Sequence, residues 1–572
     1  MVIKLRQFGI VAFAVCSLMA GFSGNCNGSP VGEIVLHVDD DAPAGGDGLS
    51  WETAYRFLQD ALLFAVEPEN SVNEIRTAQG EYKPDRSENN PKGDGNREGT
   101  FQLINGVSLL GGYAGIGAAD PDDRDIELYE TILSGDLLGD DEVDFKNNDE
   151  NSNHVVTSSF TDNSAVIDGF IITAGKAEGD FSHAFGAGMY NKQGYPMVIN
   201  CTFTTNSAER GGGIYNLEGS PTMNSCTFNT NIAHIGGGMY NRLHSNPTIS
   251  DCTFSGNSAD GEGGGLYNYV SSPTISNCEF SGNSAEISGG GMSNNSGSNP
   301  TVTNCAFLAN IAYIGGGMAN SHVCSPTIVN CTFSANSTNN WAGGMYNSNS
   351  SPTIINCKFN DNVAETWGGV MYNIINSNPI LINCTLSNNE GLIAGGLFNI
   401  DSNPSLVNCI MFNNTSPEIS NYGNSTTTVT YSCVQDGWPG SGNINADPLF
   451  VSAANGNLRL LPGSPCIDAA DNTSVPKGID TDLDGNLRFV DDPATRDTGN
   501  GDPPIVDMGA YEFHNKTCPW DLHADGIVGT SDLLILLGWW GFDPEGPPDF
   551  DGDGIVSTSD LLILLANWGP CP

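Results

Sequence analysis

Basic side chains are scarce in this chain. Among its 572 residues, 20 are lysine or arginine and 66 are aspartate or glutamate, which gives a formal net charge of −46. A chain with this balance repels phosphates and anionic membrane surfaces, so we expect no nucleic-acid partner. The excess of carboxylates suits calcium binding, or simply solubility outside the cell.

Long apolar runs are also few. The run Phe8–Ala20 follows Lys4 and Arg6, and it is too short to span a membrane. This pattern is typical of an export signal, and we predict a signal peptide over residues 1–28. No later stretch is long and apolar enough to cross a bilayer. We therefore expect a secreted or cell-surface protein without a transmembrane segment after cleavage.

Amphipathic helical runs are missing from residues 184–435, which excludes a helical repeat there. The region instead contains one unit nine times, aligned on a cysteine that recurs every 25, 26 or 27 residues. A fixed period of this length indicates a solenoid, because one copy cannot bury its own apolar face and copies must stack. The aligned cysteines are Cys201, Cys226, Cys252, Cys278, Cys305, Cys331, Cys357, Cys384 and Cys409.

The unit reads Pro-Thr-Ile-x-Asn-Cys-x-Phe-x-x-Asn-x-Ala, then a variable loop, then Gly-Gly-Gly-Met-Tyr-Asn. Apolar and polar residues alternate in short pieces, which predicts three short strands with a turn between each. Equivalent positions of stacked coils lie about 4.8 Å apart. We therefore predict inner ladders of Cys, of Phe and of Met/Ile/Leu, and a hydrogen-bonded Asn ladder at one turn. The predicted Asn ladder is Asn206, Asn231, Asn257, Asn283, Asn310, Asn336, Asn362, Asn389 and Asn414.

Phe-x-x-Asn followed by Gly-Gly-[Ala/Gly]-[Ile/Met] resembles the repeat of the polymorphic outer membrane proteins. Phe254 and Asn257, with Gly264-Gly265-Leu266, are a representative match. The resemblance weakens at the last two copies, where Leu386 and Met411 replace Phe. It implies a right-handed parallel β-helix of the pectin-lyase-like kind. The expected fold class is an all-β solenoid of roughly 12–14 coils, with a small α-helical module at the C-terminus.

The flanks of the repeat read as ends of the same solenoid. Residues 29–183 hold further short strands and a helix candidate over residues 51–66, and we predict an N-terminal cap with the first coils. Residues 436–515 end in Asp507-Met508-Gly509-Ala510-Tyr511-Glu512-Phe513, which resembles the closing segment of secreted bacterial β-helix proteins. We predict a second cap there, because an uncovered coil exposes strand edges and core.

Export places the cysteines in an oxidising compartment, where thiols often pair. For the repeated cysteines we predict a buried row of thiols. Occasional disulfides remain open, because neighbouring coils lie within the Cα distance range of a disulfide. In the closing segment, Cys433 and Cys466 are a candidate bridge.

Residues 516–572 contain two acidic loops, each followed by Leu-Leu-Ile-Leu-Leu. The second loop offers oxygen ligands at positions 1, 3, 5 and 12, glycine at 6 and a carbonyl at 7, as calcium loops require. We predict two calcium sites, the first weaker because His523 and Gly529 interrupt its ligand set. The candidate ligands are Asp521, His523, Asp525, Ile527 and Asp532 in the first loop, and Asp549, Asp551, Asp553, Ile555, Ser557 and Asp560 in the second.

This twofold repetition, with aspartate at position 12, resembles a type I dockerin. The resemblance implies calcium-dependent folding and docking onto a cohesin-like or cell-envelope protein. Thr530-Ser531 and Thr558-Ser559 stand where dockerins contact cohesin. The helices lack the basic residues usual after the loop, which leaves the partner open. Cys518 and Cys571 bracket the module, and we predict a bridge between them.

The solenoid carries one candidate binding feature, a row of aromatic residues after the glycines. Strand alternation points this row away from the core. If exposed, it would form a platform for sugar rings or for a partner; if covered by the glycine-rich loops, it is packing. The row is Tyr190, Tyr215, Tyr240, Tyr267, Tyr346 and Tyr372, with Phe398.

No catalytic constellation is evident. Between Cys201 and Cys433 the lysines and arginines are Arg210, Arg242 and Lys358, and no acidic residue recurs at one phase of the repeat. Two interpretations therefore stay open, and we lean towards the non-catalytic one. The first is an adhesive, carbohydrate- or partner-binding surface protein that docks through its calcium module. The alternative is an extracellular polysaccharide lyase or glycoside hydrolase on the same module.

Overall fold

The computed structural model describes residues 34–143, 145–180, 183–514, 518–522, 527–542, 548–551 and 553–570. The predicted signal peptide lies outside these residues. The described strands of residues 34–434 form one solenoid with four parallel sheets, which we number I to IV in the order in which a coil visits them. No helix in the described part of the chain is long and apolar enough to cross a membrane.

Sheet I has 14 strands and contains the Pro-Thr-Ile pieces. Its strands are Ile34–Val38, Val72–Ala78, Ser108–Tyr113, Val166–Asp168, Met197–Ile199, Thr222–Asn224, Thr248–Ser250, Thr274–Ser276, Thr301–Thr303, Thr327–Val329, Thr353–Ile355, Ile380–Ile382, Ser405–Val407 and Thr428–Thr430.

Sheet II has 13 strands and contains the phenylalanines. Its strands are Gly80–Tyr82, Thr131–Ser134, Ile171–Thr173, Thr202–Thr204, Thr227–Asn229, Thr253–Ser255, Glu279–Ser281, Ala306–Leu308, Thr332–Ser334, Lys358–Asn360, Thr385–Ser387, Ile410–Phe412 and Cys433–Val434.

Sheet III has nine strands and differs from the prediction of three strands per coil. Its strands are Lys176–Ala177, Ser207–Arg210, Ile232–Ile235, Ser258–Ala259, Ser284–Ser288, Ile311–Ile314, Ser337–Trp341, Val363–Trp367 and Glu390–Ile393. These strands start at the x-Ala that follows the inner asparagine, and the longer ones continue into the stretch that looked like a variable loop. They pair because the small buried residue after the inner asparagine, such as Ala259 or Ala285, keeps the same register from coil to coil.

Sheet IV has 12 strands and contains the Met-Tyr-Asn pieces. Its strands are Phe101–Gln102, Val156–Thr157, Met189–Lys192, Ile214–Leu217, Met239–Arg242, Leu266–Tyr269, Met292–Asn295, Met318–Ser321, Met345–Ser348, Met371–Ile374, Leu397–Ile400 and Ile419–Tyr422. All four sheets are therefore present together over about nine turns, while sheets I, II and IV extend further.

Few elements lie outside these sheets. The α-helices are Leu58–Ala65, Thr530–Gly538 and Thr558–Ala566, and the 3-10 helices are Trp51–Thr53, Pro68–Asn70, Ala453–Asn455 and Asn472–Ser474. Phe450–Ser452 pairs with Asn457–Leu460, and Ile527–Val528 pairs with Gly569–Pro570, both antiparallel. The helix Leu58–Ala65 is shorter than predicted, because Tyr55 still pairs with Val38 and Phe57 is extended. Its buried face packs on the first coil.

Left-handed corners keep the strands short. In the coil around Cys278, Asn277 has φ 54° and separates sheet I from sheet II. Gly289, with φ 66°, separates sheet III from sheet IV, and its missing Cβ would lie 2.3 Å from the carbonyl oxygen of Met292. Asparagine tolerates this conformation better than most residues and glycine adopts it freely. The corners thus explain why Asn and Gly recur at fixed places in the unit.

The predicted inner ladders are confirmed. The repeated phenylalanines have no exposed surface, and successive rings stack with centroids 4.5 to 5.0 Å apart. Each inner Asn joins its copy in the next coil; for example, the Oδ1 of Asn310 accepts from the main-chain N of Asn283 at 3.0 Å and from its Nδ2 at 2.9 Å. The nine repeated cysteines are buried free thiols. Stacking therefore accounts for the most regular residues of the unit.

A second buried Asn ladder, which we did not predict, follows sheet IV. Asn241 donates to Asn268 at 2.9 Å, and Asn268 donates to Asn294 at 2.8 Å. These amides have no exposed surface. Buried amides must be paired, and stacking the same residue in every coil supplies a partner on both sides.

Candidate functional site

Residues 436–514 lie beside the solenoid, on the outer face of sheet II. Asn388 Nδ2 donates to Ala453 O at 2.6 Å, and the amide of Ala510 donates to Thr385 Oγ1 at 2.9 Å. Ile410 and Phe412, on the outer face of the last coils, pack in one apolar cluster with Cys466. We call residues 436–514 the flank segment.

The flank segment corrects the prediction of a simple C-terminal cap. Trp438 packs against the solenoid core at the last coil, and its indole N–H donates to Thr427 O at 3.3 Å. Beyond residue 446 the segment runs along the side of the coils, because the outward positions of the last sheet II strands are apolar or hydrogen-bonding instead of charged. Residues 438–446 therefore close the last coil, where the carbonyls of Ser441 and Ile444 accept from the amides of Tyr431 and Val434 at 2.8 and 3.0 Å.

A buried ionic network fastens the flank segment to the solenoid. Arg488 has no exposed surface, and its guanidinium pairs with Glu512 at 3.2 Å. The same guanidinium donates to Asn356 Oδ1 at 3.0 Å and to Gly509 O at 2.9 Å. Asn356 belongs to the corner between sheets I and II, so this arginine bridges the two parts of the molecule.

The junction leaves an open groove of about 900 Å³, which we call the flank groove. Its floor is the corner and outer row of sheet II over four coils, and its closed end is a wall that includes flank-segment residues. The floor comprises Asp251, Thr253, Asn277, Glu279, Asn304, Ala306, Asn330 and Thr332, and the end wall includes Lys358, Gly456, Arg459, Asp484 and Tyr511. At the coil spacing, the floor from Asp251 to Asn330 is about 14 Å long.

Hydrogen-bonded side chains line the floor of the flank groove. Asn277 Nδ2 donates to Asp251 Oδ1 at 3.1 Å, Asn304 donates to Asn277 at 3.2 Å, and Asn330 donates to Asn304 at 3.2 Å. The amide dipoles therefore point the same way along the stack. The result is a polar shelf with a repeat equal to the coil spacing.

Two cations stand at the closed end of the groove. Arg459 makes a two-pronged ion pair with Asp484, at 2.6 and 2.7 Å, and its guanidinium lies 5.2 Å from the ring centre of Tyr511. Lys358 Nζ donates to Gly456 O at 3.5 Å and forms no ion pair within the part of the chain described here. Burial lowers the pKa of Lys358, and the neighbouring Arg459 lowers it further. Arg459 is thus neutralised, while Lys358 is a half-buried ammonium without an ion pair in the described residues; Asp484 and Asp361 oppose the lowering of its pKa only from a distance.

The sequence held one signal for this site. The outward row of sheet II is threonine in five of the nine repeated coils, and Lys358 is the one basic residue among the four that replace it. The threonines are Thr202, Thr227, Thr253, Thr332 and Thr385, and the replacements are Glu279, Ala306, Lys358 and Ile410. A lysine at a threonine position of a repeat indicates a coil whose outer face contacts another part of the chain, here the flank segment. Arg459 and Asp484 carried no comparable signal, because they lie in irregular sequence.

Residues 132–307 and 185–343 match a family model described as right handed beta helix region. The solenoid is a right-handed β-helix. Among solved structures it is similar to one titled crystal structure of pectate lyase Pel9A, with 11% identity over 84% of this chain and 97% of that chain and a TM-score of 0.28. A likeness at this level carries no argument about activity. No curated protein matches the sequence.

The aromatic row on the β-helix is buried, which corrects the idea of an exposed platform. Tyr215, Tyr240, Tyr267, Tyr346 and Tyr372 are at most 9% exposed, and Tyr190 is half-buried. The glycine corners fold the outer faces of sheets III and IV together. The tyrosines therefore stack on one another and on side chains such as Trp341 and Trp367. The row is packing, as the alternative interpretation held.

The second acidic loop brings three predicted ligands together. Carboxylate oxygens of Asp549, Asp551 and Asp553 lie within 4.8 Å of one another. Gly554 has φ 87°, the conformation that position 6 of a calcium loop needs, and its amide donates to Asp549 at 2.8 Å. Ile555 follows, and its carbonyl is the expected ligand at position 7. This donor set fits a hard cation.

The position-12 aspartates accept hydrogen bonds from main-chain amides of their loops. Asp560 is buried and accepts from the amides of Phe550 at 2.7 Å and Ser557 at 2.8 Å. Asp532 likewise accepts from Leu522 at 2.6 Å and Gly529 at 2.8 Å. Both carboxylates therefore close their loops onto the following helix, and Ser557 caps that helix in the second copy. His523 and Asp525 lie outside the described residues, as does Cys571.

The cysteine predictions of the C-terminal half have different outcomes. Cys518 is disulfide-bonded. Cys433 and Cys466 are buried free thiols that contact each other through a hydrogen bond, so the predicted bridge is not formed. The Cys433 thiol donates to Ala446 O at 3.1 Å.

Several carboxyls of the flank segment are buried. Burial raises the pKa of Asp507 to about 8 and that of Asp468 to about 7. Burial also raises the pKa of Glu512 well above its ordinary value, although Arg488 opposes the shift. Asp507 and Asp468 thus hold protons in the folded segment that the unfolded chain releases near pH 4, whereas Glu512 is paired with Arg488.

We expect the flank segment to lose stability as the pH rises from about 4 to about 8, because the folded state binds more protons than the unfolded state over that range. The measurement is the urea midpoint at pH 5, 6.5 and 8 in the presence of a chelator. Asp507→Asn should flatten the profile. A midpoint that rises with pH would contradict these pKa shifts.

Proposed function

We propose that this protein is a secreted or cell-surface β-helix that binds an acidic polysaccharide in the flank groove and docks through its C-terminal module. Lys358 carries the proposal. It is a half-buried ammonium at the closed end of a groove, without an ion pair in the described part of a chain whose net charge is −46. A buried or half-buried charge favours a partner of opposite sign, and a uronate carboxylate supplies one.

The floor of the groove supports a linear, hydroxyl-rich ligand. Thr253, Thr332 and the corner asparagines offer donors and acceptors at a spacing that repeats from coil to coil. Asp251 and Glu279 add carboxylates further from Lys358. A sugar chain whose uronate carboxylate reaches Lys358 and whose hydroxyls lie along the floor matches this order.

The polysaccharide class is tested by affinity electrophoresis of the whole protein in gels containing polygalacturonate, its fully methyl-esterified form, or a neutral galactan. We expect retardation by the first polymer alone, and weaker retardation at high salt because part of the attraction is screened. Equal retardation by all three polymers, or by none, would contradict the proposal.

The alternative is a polysaccharide lyase, and one observation favours it. The pKa of Lys358 is lowered by burial and by Arg459, and a lysine with a lowered pKa is a candidate proton acceptor. The same polymers, incubated with the protein and calcium, would then yield unsaturated products that absorb in the ultraviolet. Without such products, the site is a binding site.

We also propose that the C-terminal module holds calcium in its acidic loops and docks onto a cohesin-like or cell-envelope protein. The support is the cluster of Asp549, Asp551 and Asp553 and the left-handed Gly554. Calcium would hold the loop in one conformation and so present the helix Thr558–Ala566 that follows it.

We expect Asp553→Ala to abolish tight calcium binding at the second loop, since it removes one of the three clustered carboxylates. The measurement is isothermal titration of the whole protein with CaCl₂, with Asp502→Ala as the control, because Asp502 is an exposed acid outside the module. An isotherm for Asp553→Ala identical to that of the parent would refute the loop assignment.

A further inference from the structure

Three aspartates of the flank segment, separate in sequence from the acidic loops of the module, converge on one point. Carboxylate oxygens of Asp468, Asp491 and Asp497 lie within 4.8 Å of one another. Asp468 has no exposed surface, while Asp491 and Asp497 are exposed. The cluster thus has one buried side and one side open to solvent. None of the ion pairs of the described residues neutralises it.

Asp468 stands out among the buried acids of the segment. Neither of its carboxylate oxygens has a hydrogen-bond partner. The Asp492 amide lies near the carboxylate and opposes the rise of the Asp468 pKa. In contrast, Asp471 accepts from Ser474 at 2.6 Å and Asp482 accepts from Asn486 at 2.8 Å. An unpaired buried carboxylate is costly, so this side chain is the one that lacks its partner.

The backbone holds the Asp468 side chain in this orientation. Its amide donates to Asp507 Oδ1 at 2.8 Å, and its carbonyl accepts from the amides of Thr498 at 2.9 Å and Gly499 at 3.2 Å. Its φ is 51°, in the left-handed region that an aspartate adopts at a cost. The surrounding structure therefore fixes a strained residue so that its carboxylate faces Asp491 and Asp497.

We propose that Asp468, Asp491 and Asp497 bind a divalent cation, Ca²⁺, separate from the acidic loops of the C-terminal module. Three carboxylates supply hard oxygen ligands, and the open side admits the waters that complete a coordination shell of six to eight. The cation neutralises charges that nothing else in the described residues pairs. It also stabilises the position of Asp507. The Asp507 carboxylate accepts from the Asp468 amide, and the Asp507 amide donates to Glu512, the partner of Arg488.

The test is isothermal titration of the whole protein with CaCl₂. The starting variant carries Asp549→Asn, Asp551→Asn and Asp553→Asn, so that the clustered carboxylates of the second loop do not contribute to binding. In this background we add Asp491→Asn with Asp497→Asn, both at exposed positions that leave the packing intact. Asp468→Asn is a third, isosteric variant, and Asp502→Asn is the matched control at another exposed aspartate.

The double variant and Asp468→Asn should each lose one equivalent of bound Ca²⁺, and Asp502→Asn should lose none. Added Ca²⁺ should raise the thermal midpoint of the parent more than that of the double variant. An unchanged stoichiometry in the double variant would overturn the proposal, whatever the fate of Asp468→Asn. It would then follow that Asp468 is held as the neutral acid.

Discussion

Arg488→Met is expected to lower the free energy of unfolding of the flank segment by about 3–5 kcal/mol, the usual cost of breaking a buried ion pair from one side. The variant replaces the guanidinium by a shorter apolar side chain and leaves Glu512, which has no exposed side-chain surface, without its charged partner. It also removes the bonds to Asn356 and Gly509. The attachment of the segment to the β-helix should weaken with its stability.

Urea unfolding, monitored by the protease sensitivity of the flank segment, measures this loss in the free energy of unfolding. Arg496→Met is the control, because Arg496 is an exposed arginine of the same segment and forms no ion pair in the described part of the chain; its expected change is below about 0.5 kcal/mol. Arg488→Met combined with Glu512→Gln should recover part of the loss, since no charge is left alone. A loss under about 1 kcal/mol for Arg488→Met would show that the pair contributes little to the attachment.

The regular part of the molecule could be predicted because one period determined many positions at once. Phe254, Phe280 and Phe307 occupy the same place in three coils, so one argument about stacking applied to all of them, and all are fully buried. Asn283 and Asn310 followed in the same way. A residue that recurs at every turn has its own copies as neighbours, and its surroundings can be read from the repeat.

The flank groove could not be predicted because its walls come from distant parts of the chain. Lys358 lies on sheet II, whereas Arg459 and Asp484 lie in a segment without a repeat. The tyrosine row was uncertain for a related reason. Whether Tyr240 or Tyr372 faces solvent depends on how sharply the glycine corner turns and on the fourth strand, which the changing residues of that stretch concealed.

The acidic loops were predictable in composition, and the structure adds a main-chain role for one residue that the spacing did not predict. Asp549, Asp551 and Asp553 cluster as the spacing required. Asp560 occupies the ligand position of the pattern, yet its two oxygens accept main-chain amides. A carboxylate just inside a helix start serves equally as a cap, and spacing alone does not separate the two roles. Asp468 escaped prediction because its partners, Asp491 and Asp497, belong to another loop.

Lys358→Gln is expected to weaken binding of an acidic oligosaccharide roughly tenfold to a hundredfold, the range for losing one hydrogen-bonded charge partner. Glutamine keeps much of the length and a donor, so the groove should retain its shape. The thermal midpoint should stay the same or rise slightly, because the native ammonium is half-buried and burial lowers its pKa. Lys477→Gln, at an exposed lysine of the flank segment, is the matched control.

The most direct test is therefore the dissociation constant of a short oligogalacturonate, measured by titration calorimetry for the parent, Lys358→Gln and Lys477→Gln. The flank groove account predicts that affinity falls only for Lys358→Gln, with no change in the folded fraction. If both variants bind as the parent does, the groove is not the binding site and Lys358 is no more than a buried charge at a junction.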